Sequence, residues 1–200
     1  GYVEAAKTLA NEYMYGDILP WDFEAALENY GLCSQEGDAY CQGRTAELLA
    51  NYSADPDYHR AYDLASMAAD SGDARAQGIL AILFFRGYGV VRNVERAIEY
   101  ARMAAEREDV YGLQVLAEAY AEGIGVDQNS EKSIELYSVM AEAGDFGGLF
   151  SLWNIYENGL YGVQQDLKKA ASYYLEAASY GDTSAERAVG IYYLAGVGVQ

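Results

Sequence analysis

A dipeptide that returns at a near-constant interval constrains this chain more than any other feature. Gly-Asp stands at Gly37-Asp38, Gly72-Asp73, Gly144-Asp145 and Gly181-Asp182, and Glu108-Asp109 falls midway between the second and third pairs. The step is 35 to 37 residues, and counting back 36 from Gly37 reaches Gly1. Self-similarity at such a period marks an architecture whose units bury their apolar faces on one another. The expected repeats are 1–36, 37–71, 72–107, 108–143 and 144–180, with a half repeat over 181–200.

Inside each unit the spacing is helical. Four residues after the anchor stands a small residue: Ala5, Cys41, Ala76, Gly112, Gly148 and Ala185. Eight after it come Leu9, Thr45, Leu80, Leu116, Leu152 and Val189, and twelve after it Tyr13, Leu49, Phe84, Tyr120, Tyr156 and Tyr193. Steps of four fall on one stripe of a helix, the stripe that faces a core. Eleven residues before each later anchor is another small residue, Ala26, Ala61, Ala97, Ser133 or Ala170, where a second helix can approach closely. Glycines end the first helices at Gly16, Gly87, Gly123, Gly159 and Gly196, since glycine accepts the left-handed conformation of a helix end. The second helices are expected to start near Asp22, Asp57, Asn93, Ser130 and Asp166, residue types suited to capping. The second repeat departs, with Tyr52-Ser53-Ala54-Asp55-Pro56 in place of the glycine turn.

Two helices per 36-residue unit predict an α-solenoid. The residues that carry the pattern, A-x3-L-x3-Y-x2-G-x-G-V and then a capped helix ending A-A-x2-G-D, resemble the Sel-1-like repeat (SLR) family, a relative of the tetratricopeptide repeats. The resemblance covers the whole chain. It implies an all-α fold, a right-handed α-solenoid of helix-turn-helix repeats of about 36 residues, whose first helices line a concave side. It also implies a non-enzymatic scaffold or adaptor. A plain tetratricopeptide array has a 34-residue period and lacks the Gly-x-Gly-Val turn.

Cys33 and Cys41 are the only cysteines, four residues before and four after Gly37. These are the small positions held elsewhere by Ala68 with Ala76 or Ala177 with Ala185. The cysteine-rich secreted branch of the family places its bridges at this C-x7-C spacing, which implies a Cys33–Cys41 disulfide. The other reading is two buried thiols acting as small hydrophobes. A bridge would put the protein in an oxidising compartment (periplasm, outside the cell or a secretory lumen), and unbridged thiols in the cytoplasm. Glycosylation at the sequon Asn51-Tyr52-Ser53 would matter only in a eukaryotic secreted chain.

Charge narrows the partners. Thirteen Lys and Arg against 31 Asp and Glu leave a net charge of -18. Such a surface repels nucleic acid and anionic lipid, and no apolar run is long enough for membrane insertion. The 52% apolar content excludes a disordered acidic tail. Catalytic signatures are missing: there is no Ser-x-x-Lys, Gly-x-Ser-x-Gly, His-Glu-x-x-His or Walker loop. The lone His59 and two cysteines cannot complete a zinc site without carboxylates. Asp55-Pro56-Asp57 lacks the glycine and distal glutamate of an EF-hand. No catalytic residue, metal or cofactor is called for.

The remaining face of the first helices is the candidate partner surface. Position 10 after the anchor carries Glu47, Ile82, Glu118, Asn154 and Ile191, and position 13 carries Phe85, Glu157 and Leu194. Tyr40 and Tyr111 at position 3, with Phe150 and Arg187 at position 6, extend it. Apolar anchors among carboxylates suit a protein partner, and the charge of -18 suits one with a basic surface. The same apolar residues could instead pack on the adjoining first helix. Two alternatives stand beside the scaffold: a toxin-neutralising, immunity-type inhibitor, and an enzyme or carbohydrate-binding module using Glu47, Glu118 and Glu157. A stretch that only spaces other domains is a third. Oligomeric state is not encoded in any of these features.

Overall fold

The computed structural model describes residues 1–16, 18–181 and 183–196. Among them lie eleven α-helices, one 3-10 turn and no strand. In order the helices are α1 (Tyr2–Tyr15), α2 (Phe23–Gln35), α3 (Ala39–Asn51), α4 (Tyr58–Asp70), α5 (Ala74–Arg86), α6 (Val94–Ala105), α7 (Val110–Glu122), α8 (Ser130–Glu142), α9 (Phe146–Asn158), α10 (Leu167–Ser179) and α11 (Thr183–Ala195). Asp182 of the last Gly-Asp pair and Val197-Gly198-Val199 lie outside the described residues. The chain divides into two compact units, residues 1–115 and residues from 116 onward, with the division inside α7.

The Gly-Asp pair is a hinge of two parts. Its first residue takes positive φ, +84° at Gly37, +83° at Gly72 and +80° at Gly144, which reverses the chain at little steric cost. Its aspartate then caps the next helix: Asp38 accepts from Cys41 N–H, Asp73 from Ala76 and Asp145 from Gly148. Glu108 adopts the same left-handed conformation, φ +57°, without the freedom of glycine. Asp22, Asp57, Asn93 and Asp166 cap the second helices as expected. In α8, however, the cap is Asn129, which accepts from Lys132 N–H; Ser130 is already the first helical residue.

In the first unit, consecutive helices pack on one another and α3 also packs on α5. In the second, α8, α9, α10 and α11 do so in sequence. The small residues sit where the helices approach. Ala26, Ala61, Ala97, Ser133 and Ala170 are all buried, as are Cys41, Ala76 and Ala185. Gly148 admits no side chain, because a Cβ there would lie 2.7 Å from both the Met140 Cβ and the Tyr137 carbonyl oxygen.

Two local expectations fail at the start of the chain. Helix α1 buries Ala6, Ala10 and Met14, whereas Ala5 and Leu9 are exposed, so its stripe is turned by one residue. The buried side of α1 is the one that shares a core with Ala26 and Tyr30 of α2 and Cys41 and Leu48 of α3. Gly16 ends α1 in an extended conformation, φ -78°, rather than a left-handed one; Gly87 and Gly159 do end α5 and α9 left-handed. At the irregular turn, α3 runs to Asn51, and Tyr52 and Ser53 both donate their N–H to the Leu48 carbonyl.

Cys33 of α2 and Cys41 of α3 form a disulfide with Cα atoms 5.8 Å apart. Both residues are fully buried, in a core with Ala6, Ala10, Met14, Ala26, Tyr30 and Leu48.

Candidate functional site

The expected surface residues fall in both units. In the first unit they surround a buried ionic network. Glu47 projects from α3 with its side chain 5% exposed, and Arg44, one turn before it, donates to its carboxylate at 2.8 Å. Arg75 of α5 approaches the same carboxylate at 3.7 Å and Asp109 at 3.2 Å. The Tyr111 hydroxyl donates to Glu47 at 3.0 Å, and the Arg75 guanidinium lies 4.9 Å from the centre of the Tyr111 ring. Tyr40 lies under Arg44, at 5.2 Å, and its hydroxyl donates to Asn11 at 2.9 Å. Tyr40, Glu47 and Tyr111 thus belong to one cluster, held together by two arginines.

Burial sets the electrostatics there. Asp109 is pushed up to about 6 by burial, against the pull of Arg75 and of the Gly112 and Tyr111 N–H groups. Tyr111 is raised by burial and by the Glu47 charge. Alongside, Tyr40, Arg44, Asp73, Arg75, Arg107 and Asp109 line an open cleft of about 470 Å3. Ile82 is half-buried and Phe85 only 3% exposed, beneath the guanidinium groups of Arg86 and Arg92. Phe85 is therefore an interior residue.

The second unit has a different surface. Glu157 of α9 accepts from the Tyr174 hydroxyl of α10 at 3.1 Å and from the Tyr192 hydroxyl of α11 at 2.7 Å, one on each oxygen. Burial, with the Glu157 charge, pushes Tyr174 up to about 12. Four rings continue from this carboxylate. Tyr192 lies 5.5 Å from Tyr174, Tyr174 stacks on Trp153 at 4.5 Å, and the Phe150 ring meets Trp153 edgewise at 5.0 Å. Phe150 is 55% exposed. Asn154 is tied to Asn158 at 2.8 Å on the same helix. Glu118 is half-buried, and its charge with burial raises Tyr137. On α11, Arg187, Ile191 and Leu194 are exposed.

Sequence spacing identified Glu47, Tyr111, Phe150 and Glu157 but missed Arg44, Asp109, Trp153, Tyr174 and Tyr192 as their partners. Tyr174 and Tyr192 come from other helices, and only the fold brings them to Glu157. Arg44, three residues from Glu47, and Trp153, three residues from Phe150, are the partners visible as helical pairs. His59 is exposed in the first turn of α4. Among the described residues no cluster of three or more His, Cys, Asp or Glu is placed to hold a metal. None of the described helices is long and apolar enough to cross a membrane.

The Sel1 repeat family matches the chain five times, over residues 3–38, 29–73, 74–109, 111–145 and 151–182. No curated protein matches it. Among solved structures, a Sel1 repeat protein from Oxalobacter formigenes is 27% identical with a TM-score of 0.74, over 100% of this chain and 57% of its own. A protective antigen with an SLR fold, present in uropathogenic Escherichia coli strains, is also 27% identical, with a TM-score of 0.70, over 99% of this chain and 42% of its own. The chain thus spans less than two thirds of either protein. An immunity protein from Pseudomonas aeruginosa shares the fold at 21% identity and a TM-score of 0.59, over 92% of this chain and 67% of its own. Five family matches, the helix pairs of near-36-residue period and the shared fold together make this chain a member of the Sel1 repeat family, an all-α solenoid.

Proposed function

We propose that the chain is a non-enzymatic scaffold that holds a protein partner on the exposed face of its first helices, with the firmest grip on the second unit. Sel1 repeat proteins generally mediate protein–protein interaction, and that coarse function follows from the family. The observation that supports a site on the second unit is its exposed apolar side chains set among carboxylates: Phe150, Ile191 and Leu194 are 55%, 63% and 92% exposed. Interfaces draw their energy from such anchors and their selectivity from the charges around them. In the first unit Glu47 is already satisfied by Arg44, Arg75 and Tyr111, which favours a structural role there. The buried Cys33–Cys41 bridge supports work in an oxidising compartment, and the charge of -18 supports a basic partner.

The test is affinity capture from native extract by wild type and by a Phe150→Asp/Ile191→Asp double variant, after circular dichroism confirms equal helix content. Exposed positions are chosen because Phe85→Asp would bury a charge. One protein retained by wild type and lost by the variant is the expected result. Identical captured sets, or none, overturn the reading. Intact mass after alkylation in denaturant without reduction tests the compartment: no added label is expected, and two labels overturn it.

A further inference from the structure

The first unit contains an arginine seat that it fills itself. Arg75 lies over the Tyr111 ring at 4.9 Å and reaches Glu47 at 3.7 Å, while the Tyr111 hydroxyl donates to the same carboxylate at 3.0 Å. Carboxylate, phenol and ring face act together on one guanidinium. A planar guanidinium suits such a site, because it stacks on a ring and donates to a carboxylate in its own plane.

The second unit assembles the same chemical groups around Glu157. Each carboxylate oxygen accepts one phenol, Tyr174 on one and Tyr192 on the other, which leaves a further acceptor lone pair on each. Trp153 and Phe150 extend the ring surface, stepwise from Tyr174 outward to solvent. No lysine or arginine among the described residues forms an ion pair with Glu157. The wider field agrees: residues 116–200 hold four cationic side chains against twelve acidic ones, a net of -8.

Resting on the scaffold reading above, we infer that Glu157, held by the buried Tyr192 and by Tyr174, and the Tyr174–Trp153–Phe150 ring series are the seat for an arginine side chain of a basic partner segment. The carboxylate takes the guanidinium edge and the rings take its face, as Glu47 and Tyr111 do for Arg75. A neutral sugar would use the rings but gain less from an ionised carboxylate.

The experiment uses the full chain carrying Trp21→Phe, so that Trp153 is the sole indole and its emission reports on the site. The probes are acetylated, amidated tetra-arginine, tetra-lysine and tetra-glutamate peptides, with the neutral sugar chitotetraose as a fourth. A saturable change in emission is expected with tetra-arginine, weaker binding with tetra-lysine and none with tetra-glutamate. Glu157→Gln, which keeps an amide oxygen to accept a phenol, should weaken tetra-arginine binding at least tenfold. Glu135→Gln, an exposed carboxylate of α8, should leave it within twofold. Absence of saturation, equal loss in the two variants, unchanged affinity in Glu157→Gln, or saturation by chitotetraose instead would each overturn the inference. If the titration fails while partner capture still depends on Phe150, the arginine seat falls and the scaffold stands. If capture fails while the titration holds, the scaffold falls and the seat stands.

Discussion

The two units solve the same problem, a carboxylate close to the helix core, with opposite chemistry. Glu47 is matched by two arginines and a phenol, and its side chain is 5% exposed. Glu157 is half-buried and matched by two phenols, which bring hydrogen bonds but no charge. In the first unit the charge of Glu47 is cancelled internally; in the second, no lysine or arginine among the described residues forms an ion pair with Glu157. A carboxylate is therefore best judged by the charge of its partners.

The largest test of that contrast removes each carboxylate in turn. Glu47→Ala strands Arg44 in a largely buried site, leaves Arg75 to Asp109 alone and should cost about 3–5 kcal/mol, read from urea unfolding. Glu157→Ala strands no charge, only the Tyr174 and Tyr192 hydroxyls, and should cost about 1–2 kcal/mol. Equal losses would erase the distinction between the units.

Asp109 sharpens it by pH. Its carboxyl is raised to about 6, above the ordinary carboxylate value, so between about pH 4 and pH 6 the folded chain holds a proton that the unfolded chain has released. Its contribution to stability must then fall as pH rises through this window and level off above it, by about 3 kcal/mol in all. The wild-type minus Asp109→Asn difference in unfolding free energy should follow that curve. A flat difference from pH 4 to pH 7 would refute it.

The disulfide belongs to the first unit alone. Cys33→Ala/Cys41→Ala restores the alanine pair seen at other junctions, so its cost isolates the cross-link, about 2–3 kcal/mol for so short a loop. Denaturation midpoints with and without reductant check this, and reductant should leave the double variant unchanged. The smallest effect is at Glu108, where φ is +57°. Glu108→Gly should stabilise the chain by about 0.5–1 kcal/mol, because glycine enters the left-handed region without steric cost. A loss of stability would mean that the Glu108 side chain contributes more than its backbone strain removes.

The helical plan was legible because it rests on local chemistry repeated many times. A small residue at Ala61, Ala97 or Ala170 is where one helix must lie close to another, and each of these is buried. The Gly-Asp pair announced a junction, although spacing alone did not reveal that its aspartate caps the following helix. What stayed hidden was assembled from a distance. Arg75 and Asp109 are 34 residues apart, and Tyr192 is 35 residues from Glu157. The turned stripe of α1 escaped for a related reason: a helix's buried side depends on which neighbours it has, and the repeat pattern assumes the same neighbours everywhere.

The Cys33–Cys41 bridge also has a consequence for how the chain comes apart. Repeat arrays open locally, in cooperative units of neighbouring helices. Here α2 is covalently tied to α3, so α1 and α2 cannot peel away as a pair while α3 stays in place. Amide hydrogens of α1 to α3 should exchange as a single cooperative block when the bridge is intact, and α1 with α2 should exchange ahead of α3 once it is reduced. The redox state of one bond thus sets whether α1 and α2 open together with α3 or ahead of it.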